Sequence, residues 1–391
     1  MLKTLQARSR TWAAFAGALA LSACLAFGLS ACSSSDEAAS TEATPSTEQS
    51  APSTDANADA SADTITFTDD LGRTVELPAT IDRICPSGFT AQQVLLTIAP
   101  DKMVGLAQEL TDDQLKIFGE KFADYPVFGA VLGATDNLNR EAVAAENPQV
   151  IIDTGEAKEG AEDDLNALQE QLGIPVVFIE AKLSDYGAAY ARLGELLGME
   201  DRGNELSQYC TDVYQKVETT MAGIPEDERV HMAYLLGENG LNAIAKTSFQ
   251  GAVVDMVADN VVVVEEASGK GTGNEVSLEQ IALWNPDLII FQEGSIYDTV
   301  GDNPAWAGIA AIDNDNYYQV PNDPWCWMNN PPTVNQLMGL QWLPRLLYPD
   351  KFDDSIADVT RVYYKTMYNY DLTDDELNDL IKDAVPRTAD N

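Results

Sequence analysis

The chain alternates short apolar runs with segments of helical periodicity. Two short alternating segments, at 64–68 and 74–77, flank a polar turn and predict a β-hairpin. Later apolar runs are separated by helix-like segments, which is typical of parallel sheets covered on both faces by helices. These runs occupy 81–84, 103–106, 127–128, 150–152, 176–179, 231–236, 261–264, 288–291 and 317–320.

A longer amphipathic segment lies between the two groups of runs. Apolar residues recur in it every three or four positions, the spacing of one face of an α-helix: Leu206, Tyr209, Val213, Val217 and Met221. We predict a helix over 201–222, with Asp201 as its N-cap and Gly223 to Pro225 as its end. Such a helix would be about 33 Å long and would span two lobes side by side. An ordinary surface helix within one lobe is the alternative.

Nearly the same pattern occurs on both sides of this segment. Residues 139–152 and 277–290 each give a short helix, an Asn-Pro pair and a buried strand. The sequence therefore predicts an α/β protein with two lobes, at 64–183 and 223–391, whose central sheets are mostly parallel. The linker, 184–222, contains one stiff helix, so little hinge motion is expected. Three final helical regions at 334–347, 355–367 and 374–384 close the second lobe.

The first 31 residues have the pattern of a secretion signal. Three basic residues, Lys3, Arg8 and Arg10, precede an apolar run over 12–29. That run is followed by small residues, as in a cleaved signal peptide rather than a membrane-spanning anchor.

Cys32 is the predicted lipidation site. It ends the stretch Leu29-Ser-Ala-Cys32, which resembles the lipobox of bacterial lipoproteins; a second match, ending at Cys24, leaves a shorter apolar region. Residues 32–63 are mostly small, acidic or hydroxyl-bearing, and cannot bury enough apolar surface to fold. We therefore expect a disordered tether that holds a folded domain near the outer face of a membrane.

The charge balance excludes one class of partner. The 391 residues include 23 Lys plus Arg against 63 Asp plus Glu, a formal net charge of −40. Such a field repels phosphate backbones, so we expect no nucleic acid partner.

The single histidine disfavours two further functions. His231 lies in a predicted apolar strand, so Ser-His or Cys-His catalysis is not expected and an exported hydrolase is disfavoured. Cages for bare zinc or manganese usually contain several histidines. No metal site or cofactor of the protein's own is therefore predicted, and a transported metal would arrive chelated or as an oxoanion.

The candidate ligand site is a cleft between the lobes, because ligands of α/β sheets bind at the carboxyl ends of strands. The loop at 323–332 is unusual, since its aromatic and methionine side chains would suit a flat or apolar ligand. Packing of this loop against the core is the alternative. The predicted cleft residues are Ser87, Phe89, Thr90, Lys246, Phe249, Lys270, Trp325, Trp327 and Met328.

Three cysteines lie beyond the lipobox. Cys210 is on the predicted linking helix, whereas Cys85 and Cys326 fall in predicted cleft loops of opposite lobes. Packing is the first interpretation for these thiols, followed by a disulfide between Cys85 and Cys326 and then by ligation of a soft metal.

Several stretches together resemble a known family, the substrate-binding lipoproteins of ABC importers for iron chelates, haem, cobalamin and some metal oxoanions. The resemblance covers about 64–383 and is carried by residues 66–78, Arg83-Ile84, the two Glu-x-x-x-x-x-Asn-Pro-x-x-Ile-Ile repeats, Asn303-Pro-Ala-Trp306 and Tyr318-Gln-Val-Pro321. It implies the class III solute-binding fold, with two lobes, a rigid linking helix and a ligand in the cleft.

The resemblance also implies a non-enzymatic function. On this basis we predict that the protein captures an iron chelate, of siderophore or haem type, and delivers it to an ABC permease dimer. A corrinoid or an oxoanion such as molybdate or tungstate is the alternative ligand.

Two glutamates occupy the same place in the two repeats. The resemblance implies that Glu141 and Glu279 project from the two lobes and meet arginines of the two permease subunits. A carboxylate in the first turn of a helix also complements the helix dipole, by about 0.3–1 kcal/mol, without any docking role.

Overall fold

The computed structural model describes residues 64–131 and 137–387. The residues in these two ranges belong to one compact unit. The predicted signal peptide, the tether and Cys32 lie outside the described residues. Within the described ranges, no helix combines the length and the apolar character that crossing a membrane requires.

The described residues contain eleven strands. In chain order they are β1 (Thr64–Thr68), β2 (Thr74–Pro78), β3 (Ile84–Pro86), β4 (Val150–Gly155), β5 (Val176–Glu180), β6 (His231–Leu236), β7 (Asn242–Ala243), β8 (Asp259–Asn260), β9 (Asn274–Glu275), β10 (Leu288–Phe291) and β11 (Tyr317–Gln319).

Thirteen α-helices lie in the same described ranges. They are α1 (Phe89–Ile98), α2 (Asp112–Phe118), α3 (Arg140–Glu146), α4 (Ala161–Leu172), α5 (Tyr186–Leu197), α6 (Glu200–Ala222), α7 (Ala252–Val257), α8 (Leu278–Trp284), α9 (Tyr297–Val300), α10 (Ala310–Asp313), α11 (Gln336–Leu347), α12 (Ile356–Tyr368) and α13 (Asp374–Ile381).

The predicted hairpin is confirmed, and its turn is anchored to the first sheet. Strands β1 and β2 pair antiparallel, with Thr68 opposite Thr74. The buried Asp69 carboxylate accepts from Arg73 Nη2 at 2.6 Å and from the backbone N–H of Phe178 at 3.2 Å. Arg73 Nη2 also donates to the Val176 carbonyl at 2.8 Å. The turn sequence thus ties the hairpin to β5 through a buried ion pair whose remaining groups are hydrogen-bonded.

Two sheets form the centres of two lobes, as the alternation of elements predicts. The first sheet has the order β3-β4-β5 and is wholly parallel. In the second sheet, β6 pairs parallel with β8 and β10, and β10 pairs parallel with β11. The short strands β7 and β9 add antiparallel pairs at its edge. We call β1–β5 with α1–α5 the first lobe, and β6–β11 with α7–α13 the second lobe.

The sequence repeat corresponds to a structural repeat. Helix α3 leads into β4 and helix α8 leads into β10, each through an Asn-Pro pair. Asn147 and Asn285 end the two helices in the left-handed conformation, with φ of 48° and 43°. Asparagine tolerates this conformation better than most residues, which explains its presence at both helix ends.

Helix α6 is the predicted link between the lobes. It packs against α5 and α1 of the first lobe and against α7, α11 and α12 of the second. Arg202 on this helix donates through Nη2 to the carbonyls of Thr97 at 2.9 Å, Thr366 at 2.8 Å and Met367 at 3.1 Å. One guanidinium therefore joins a helix of the first lobe to a helix of the second.

The N-terminal cap of α6 differs from the prediction. Asp201 lies inside the helix, whose N-cap residue is Met199 and makes no side-chain cap hydrogen bond. The chain turns from α5 into α6 within two residues, through Gly198 in the left-handed conformation. The predicted end, before Gly223, is confirmed.

One continuous hydrophobic core extends through both lobes. It contains Val150 and Ile152 from one face of the first sheet and Met232 and Tyr234 from one face of the second. The helices between the sheets complete this core, and smaller clusters cover the opposite face of each sheet. Because the lobes share one buried core, separating them would expose apolar surface.

Several predicted strands are shorter or displaced. The predicted strand at 81–84 forms instead at Ile84–Pro86, and that at 261–264 is replaced by the pair Asp259–Asn260. The runs at 103–106 and 127–128 make isolated parallel bridges, Ile84 with Met103 and Leu106 with Val127. Apolar runs of this length indicate burial but do not fix which residues carry the ladder hydrogen bonds.

Candidate ligand-binding cleft

A cavity with a volume of about 280 Å³ lies between the lobes beside α6. Residues after β4 and β5 line one side, residues of the second lobe line the other, and α6 contributes one tyrosine. The lining residues are Glu156, Lys182, Leu183, Ser184, Tyr214, Phe249, Ala252, Met256 and Gln336. On the first-lobe side, the cavity therefore lies at the carboxyl ends of the parallel strands β4 and β5, where ligands of α/β proteins bind.

The lining combines an apolar surface with a few charged groups. Phe249 is 48% exposed although it is a large aromatic residue, and it lies in a single turn of 3₁₀ helix before α7. On the opposite side, Lys182 Nζ lies 2.6 Å from the Glu180 carboxylate. An exposed aromatic side chain opposite a lysine suits a ligand that has both an apolar face and negative charge.

A buried polar pair lies at the carboxyl ends of β3 and β4. Ser87 Oγ donates to the Asp153 carboxylate, and both side chains are buried. Burial raises the pKa of Asp153 to about 6, although the Ser87 hydrogen bond, the Thr154 N–H and the positive charges of Lys158 and Arg73 oppose the change. A carboxyl group with this pKa changes protonation between mildly acidic and neutral pH.

We expect Asp153→Asn to change the pH dependence of folding stability. The folded-state pKa of Asp153 lies above the usual value of 3.8, so the neutral form favours folding. The stabilisation by neutral Asp153 is complete at pH values below the pKa of this group in the unfolded chain. It is lost as the pH rises through about 6. The stability of the variant relative to wild type should therefore increase between pH 4 and pH 7, measured by urea unfolding. Asp302→Asn, at an exposed position, serves as control. A relative stability that is constant over this range would contradict the burial effect.

The predicted cleft residues of the first lobe lie near these groups. Ser87 is part of the buried pair, and Thr90 Oγ1 donates to the Thr154 carbonyl at 3.0 Å. Phe89 begins α1 and is 37% exposed. Phe89 and Phe249 are thus exposed aromatic residues at strand-to-helix loops of different lobes.

Among the nine predicted cleft residues, Phe249 lines the cavity, and the other predicted residues of the second lobe lie elsewhere. Lys246 is exposed and pairs with Asp259 at 2.8 Å. Lys270 is exposed in the loop before β9.

Residues 324–329 of the 323–332 loop are buried, and Trp325, Trp327 and Met328 belong to the shared core. Trp325 packs against Phe118 of α2 with a ring-centroid distance of 5.1 Å, and Trp327 packs edge-on against Trp342 of α11 at 6.1 Å. Met328 is fully buried. These contacts agree with the packing interpretation of the loop, and contact with a ligand stays a prediction for these three residues.

The same loop connects the lobes through hydrogen bonds. Gln114 of α2 donates to the Pro324 carbonyl at 2.7 Å. Thr333 Oγ1 donates to Gln93 of α1, and both side chains are buried. The loop thus belongs to the contact between lobes, which adds to the rigidity expected from α6.

The three described cysteines are buried free thiols. The predicted alternative of a disulfide between Cys85 and Cys326 is therefore wrong for this structure. Burial raises the pKa of all three thiols. Within the described ranges, no group of three or more His, Cys, Asp or Glu residues is arranged to hold a metal ion.

His231 lies in the predicted strand, β6, but its side chain is exposed. It is the first residue of β6, with Nε2 3.5 Å from the Asp259 carboxylate and Nδ1 3.8 Å from that of Asp287. The burial of β6 begins at the next residue.

The two repeat glutamates are placed equivalently. Glu141 and Glu279 lie in the first turns of α3 and α8, and both are exposed. Asn139 and Ser277 cap the two helices through their side chains.

Sequence reasoning missed most of the cavity lining. Lys182 and Ser184 follow β5 directly, so the same rule that selected the other strand ends applies to them as well. Tyr214, Met256 and Gln336 lie on helices, and their convergence on one cavity depends on how the lobes are arranged.

Comparison with known proteins identifies the class of protein, and this class agrees with the two-lobed fold and its cleft. A family described as periplasmic binding protein matches residues 94–324. An ABC transporter solute-binding protein from Sulfurospirillum deleyianum has a similar structure, with a TM-score of 0.74 and 27% identity over 81% of this chain and 99% of that chain. The TroA-like periplasmic binding protein FepB from Veillonella parvula has a TM-score of 0.64 and 22% identity, over 79% of this chain and 97% of its own.

A curated relative is similar over most of its length. The molybdate-binding protein MolA of Haemophilus influenzae is 24% identical over 334 residues, which are 78% of this chain and 92% of MolA. The chain therefore belongs to the periplasmic binding protein family. It is a substrate-binding protein of an ABC transporter, and it is not an enzyme.

Proposed function

We propose that this protein captures an iron chelate, of siderophore or haem type, in the cleft between its lobes and delivers it to an ABC permease. The observation that carries the choice of ligand is the exposed Phe249 in the interlobe cavity. A solvated aromatic ring is favourably covered by a flat or aromatic ligand. Lys182, on the opposite side, pairs with Glu180 at 2.6 Å and has further N–H donors for catecholate or carboxylate oxygens of a ligand.

The apolar part of the lining favours a chelate over a bare oxoanion. Leu183, Tyr214, Phe249, Ala252 and Met256 supply carbon-rich surface, and Glu156 adds a carboxylate. A small dianion gains nothing from apolar walls, whereas an organic shell is favourably covered by them. A chelate contains a metal in an organic shell, which matches this mixture of surfaces.

An oxoanion such as molybdate is the second candidate. The observation that favours it is the similarity to MolA over most of that protein's length. In this case backbone N–H groups at strand-to-helix loops would supply the contacts.

Titration calorimetry of the purified protein with haem, a ferric hydroxamate, a ferric catecholate, cobalamin and molybdate tests the proposal. We expect saturable binding of one iron chelate, without turnover. Phe249→Ala should weaken that binding about tenfold, which corresponds to ~1.4 kcal/mol.

Val362→Ala is the matched control, because Val362 is an exposed apolar residue outside the cavity lining. It should leave the dissociation constant unchanged. Binding of molybdate alone, with equal affinity in the Phe249 variant, would exclude the chelate and support the oxoanion.

The proposal includes the position of the protein in the cell. A lipid attached at Cys32 would hold the folded domain at the extracytoplasmic face of a membrane, with residues 33–63 as the tether. Glu141 and Glu279 would meet the two halves of the permease, one from each lobe.

A further inference from the structure

The most exposed of the large apolar side chains in the described ranges is Leu283, at 79%. Single exposed apolar residues are common on protein surfaces. Leu283 differs from such residues in its place on α8, one helical turn after Glu279 on the same face.

The two repeats expose equivalent positions to the same degree. From Glu141 to Pro148 and from Glu279 to Pro286, the sequence of exposed, intermediate and buried positions is identical. Val143 and Ile281 are the buried residues of helices α3 and α8. Leu283 therefore occupies the position of Ala145 in the first lobe, and each residue lies one turn beyond its glutamate.

The exposed faces of α3 and α8 each carry a glutamate but differ in their other side chains. In the first lobe, Glu146 pairs with Arg83 at 3.5 Å, and Ala145 adds little apolar surface. In the second lobe, the equivalents of Ala145 and Glu146 are Leu283 and Trp284, and Trp284 packs partly against the second-lobe core. The face of α3 therefore presents an alanine beside its carboxylate, whereas the face of α8 presents a leucine.

We propose that Leu283 is an apolar anchor of the contact with the extracytoplasmic face of the ABC permease. The inference rests on the proposed docking of Glu141 and Glu279. Charged contacts chiefly steer an encounter and fix orientation, whereas a fully covered apolar side chain slows dissociation. The second lobe thus holds the permease more tightly than the first, although their glutamates are equivalent.

The proposal defines the groups that the permease surface must contain. It carries a basic group for Glu279 and, about one helical turn away, an apolar depression for Leu283. The first lobe requires only the basic group. A permease that is a symmetric dimer would use the apolar depression of one subunit in each docked complex.

Uptake of a ⁵⁵Fe-labelled ferric catecholate or hydroxamate, or of ⁹⁹Mo-molybdate, is measured in cells that depend on the full-length chain. The probe is whichever of these wild type imports. Leu283→Asp should lower the uptake rate about tenfold at subsaturating receptor, and Leu283→Ala about threefold. Both variants should keep the wild-type ligand affinity and thermal midpoint when purified.

Val362→Asp is the matched control, since Val362 is 51% exposed on α12. It should leave uptake unchanged. Ala145→Leu, which gives the first lobe the same side chain, should maintain or raise uptake, because its permease counterpart has the same apolar depression in the second subunit.

A direct test replaces Leu283 with the photoreactive residue p-benzoylphenylalanine. Irradiation of intact cells should give a cross-link to a membrane-spanning ABC permease subunit, identified by mass spectrometry, and the same replacement at Val362 should give none. Normal uptake by Leu283→Asp, together with reduced uptake by Glu279→Arg, would overturn the anchor but preserve the docking role. Normal uptake by both variants would remove the proposed docking surface itself.

Discussion

The double variant Glu141→Arg, Glu279→Arg should lose most ligand import while binding its ligand normally. Each glutamate is exposed in the first turn of a short helix, and the two helices have identical burial patterns in the two lobes. Reversing both charges places arginines opposite the basic groups expected on the permease. Like charges in an interface cost several kcal/mol. Import should therefore fall at least about a hundredfold, and each single variant should have a smaller effect.

Controls separate docking from folding. Each introduced arginine lies in the first turn of its helix, near the positive end of the helix dipole. This repulsion lowers the free energy of unfolding by about 0.3–1 kcal/mol. Glu141→Gln and Glu279→Gln remove charge without reversing it, and should lower import less than the arginine variants. Near-normal uptake by the double arginine variant, at normal surface abundance, would contradict the docking role.

Gly203→Leu should prevent the first lobe from packing against the linking helix. Gly203 of α6 crosses Gly194 of α5 so closely that an added Cβ would lie 2.7 Å from the Gly194 Cα and 2.8 Å from the Tyr190 carbonyl oxygen. Backbone atoms form both contacts, so no side-chain rotation relieves them. We expect Gly203→Ala to lower the free energy of unfolding by about 1–3 kcal/mol. Gly203→Leu should not accumulate as folded protein.

Gly269→Ala is the matched control for this effect. No atom lies within 4 Å of the position its Cβ would take, and its backbone is outside the left-handed region. Its unfolding free energy should stay within about 1 kcal/mol of wild type. Urea unfolding followed by circular dichroism measures the two alanine variants, and the yield of soluble folded protein measures Gly203→Leu. A Gly203→Ala protein as stable as wild type would show that the helices can move apart at low cost.

The lobes and the linking helix could be predicted because their signals are local. The repeat contains a helix, an Asn-Pro pair and a buried strand within fourteen residues of sequence, and α6 has a regular apolar face from Leu206 to Met221. Local signals also found Phe249, which follows a strand and precedes a helix. Periodicity and strand ends were sufficient at these positions.

The placement of the 323–332 loop could not be predicted. Its aromatic residues suit the lining of a ligand cleft and the hydrophobic core equally well. Whether Trp327 faces a cleft or Trp342 depends on how the last helices pack on the lobes. The lining residues Tyr214, Met256 and Gln336 converge only after both lobes are in position. Contacts between residues far apart in sequence leave no local pattern.

The Arg202 bridge has a consequence for how the permease distinguishes a loaded receptor from an empty one. A guanidinium that holds carbonyls of α1 and α12 at once, above a core common to both lobes, keeps their surfaces in one relative position. Glu141 and Glu279 then keep the same spacing whether or not a ligand is present. An unloaded receptor should therefore compete with a loaded one for the transporter, so that excess empty receptor acts as an inhibitor of uptake. Under the proposed docking, occupancy would be sensed at the mouth of the cleft, where the ligand itself changes the exposed surface.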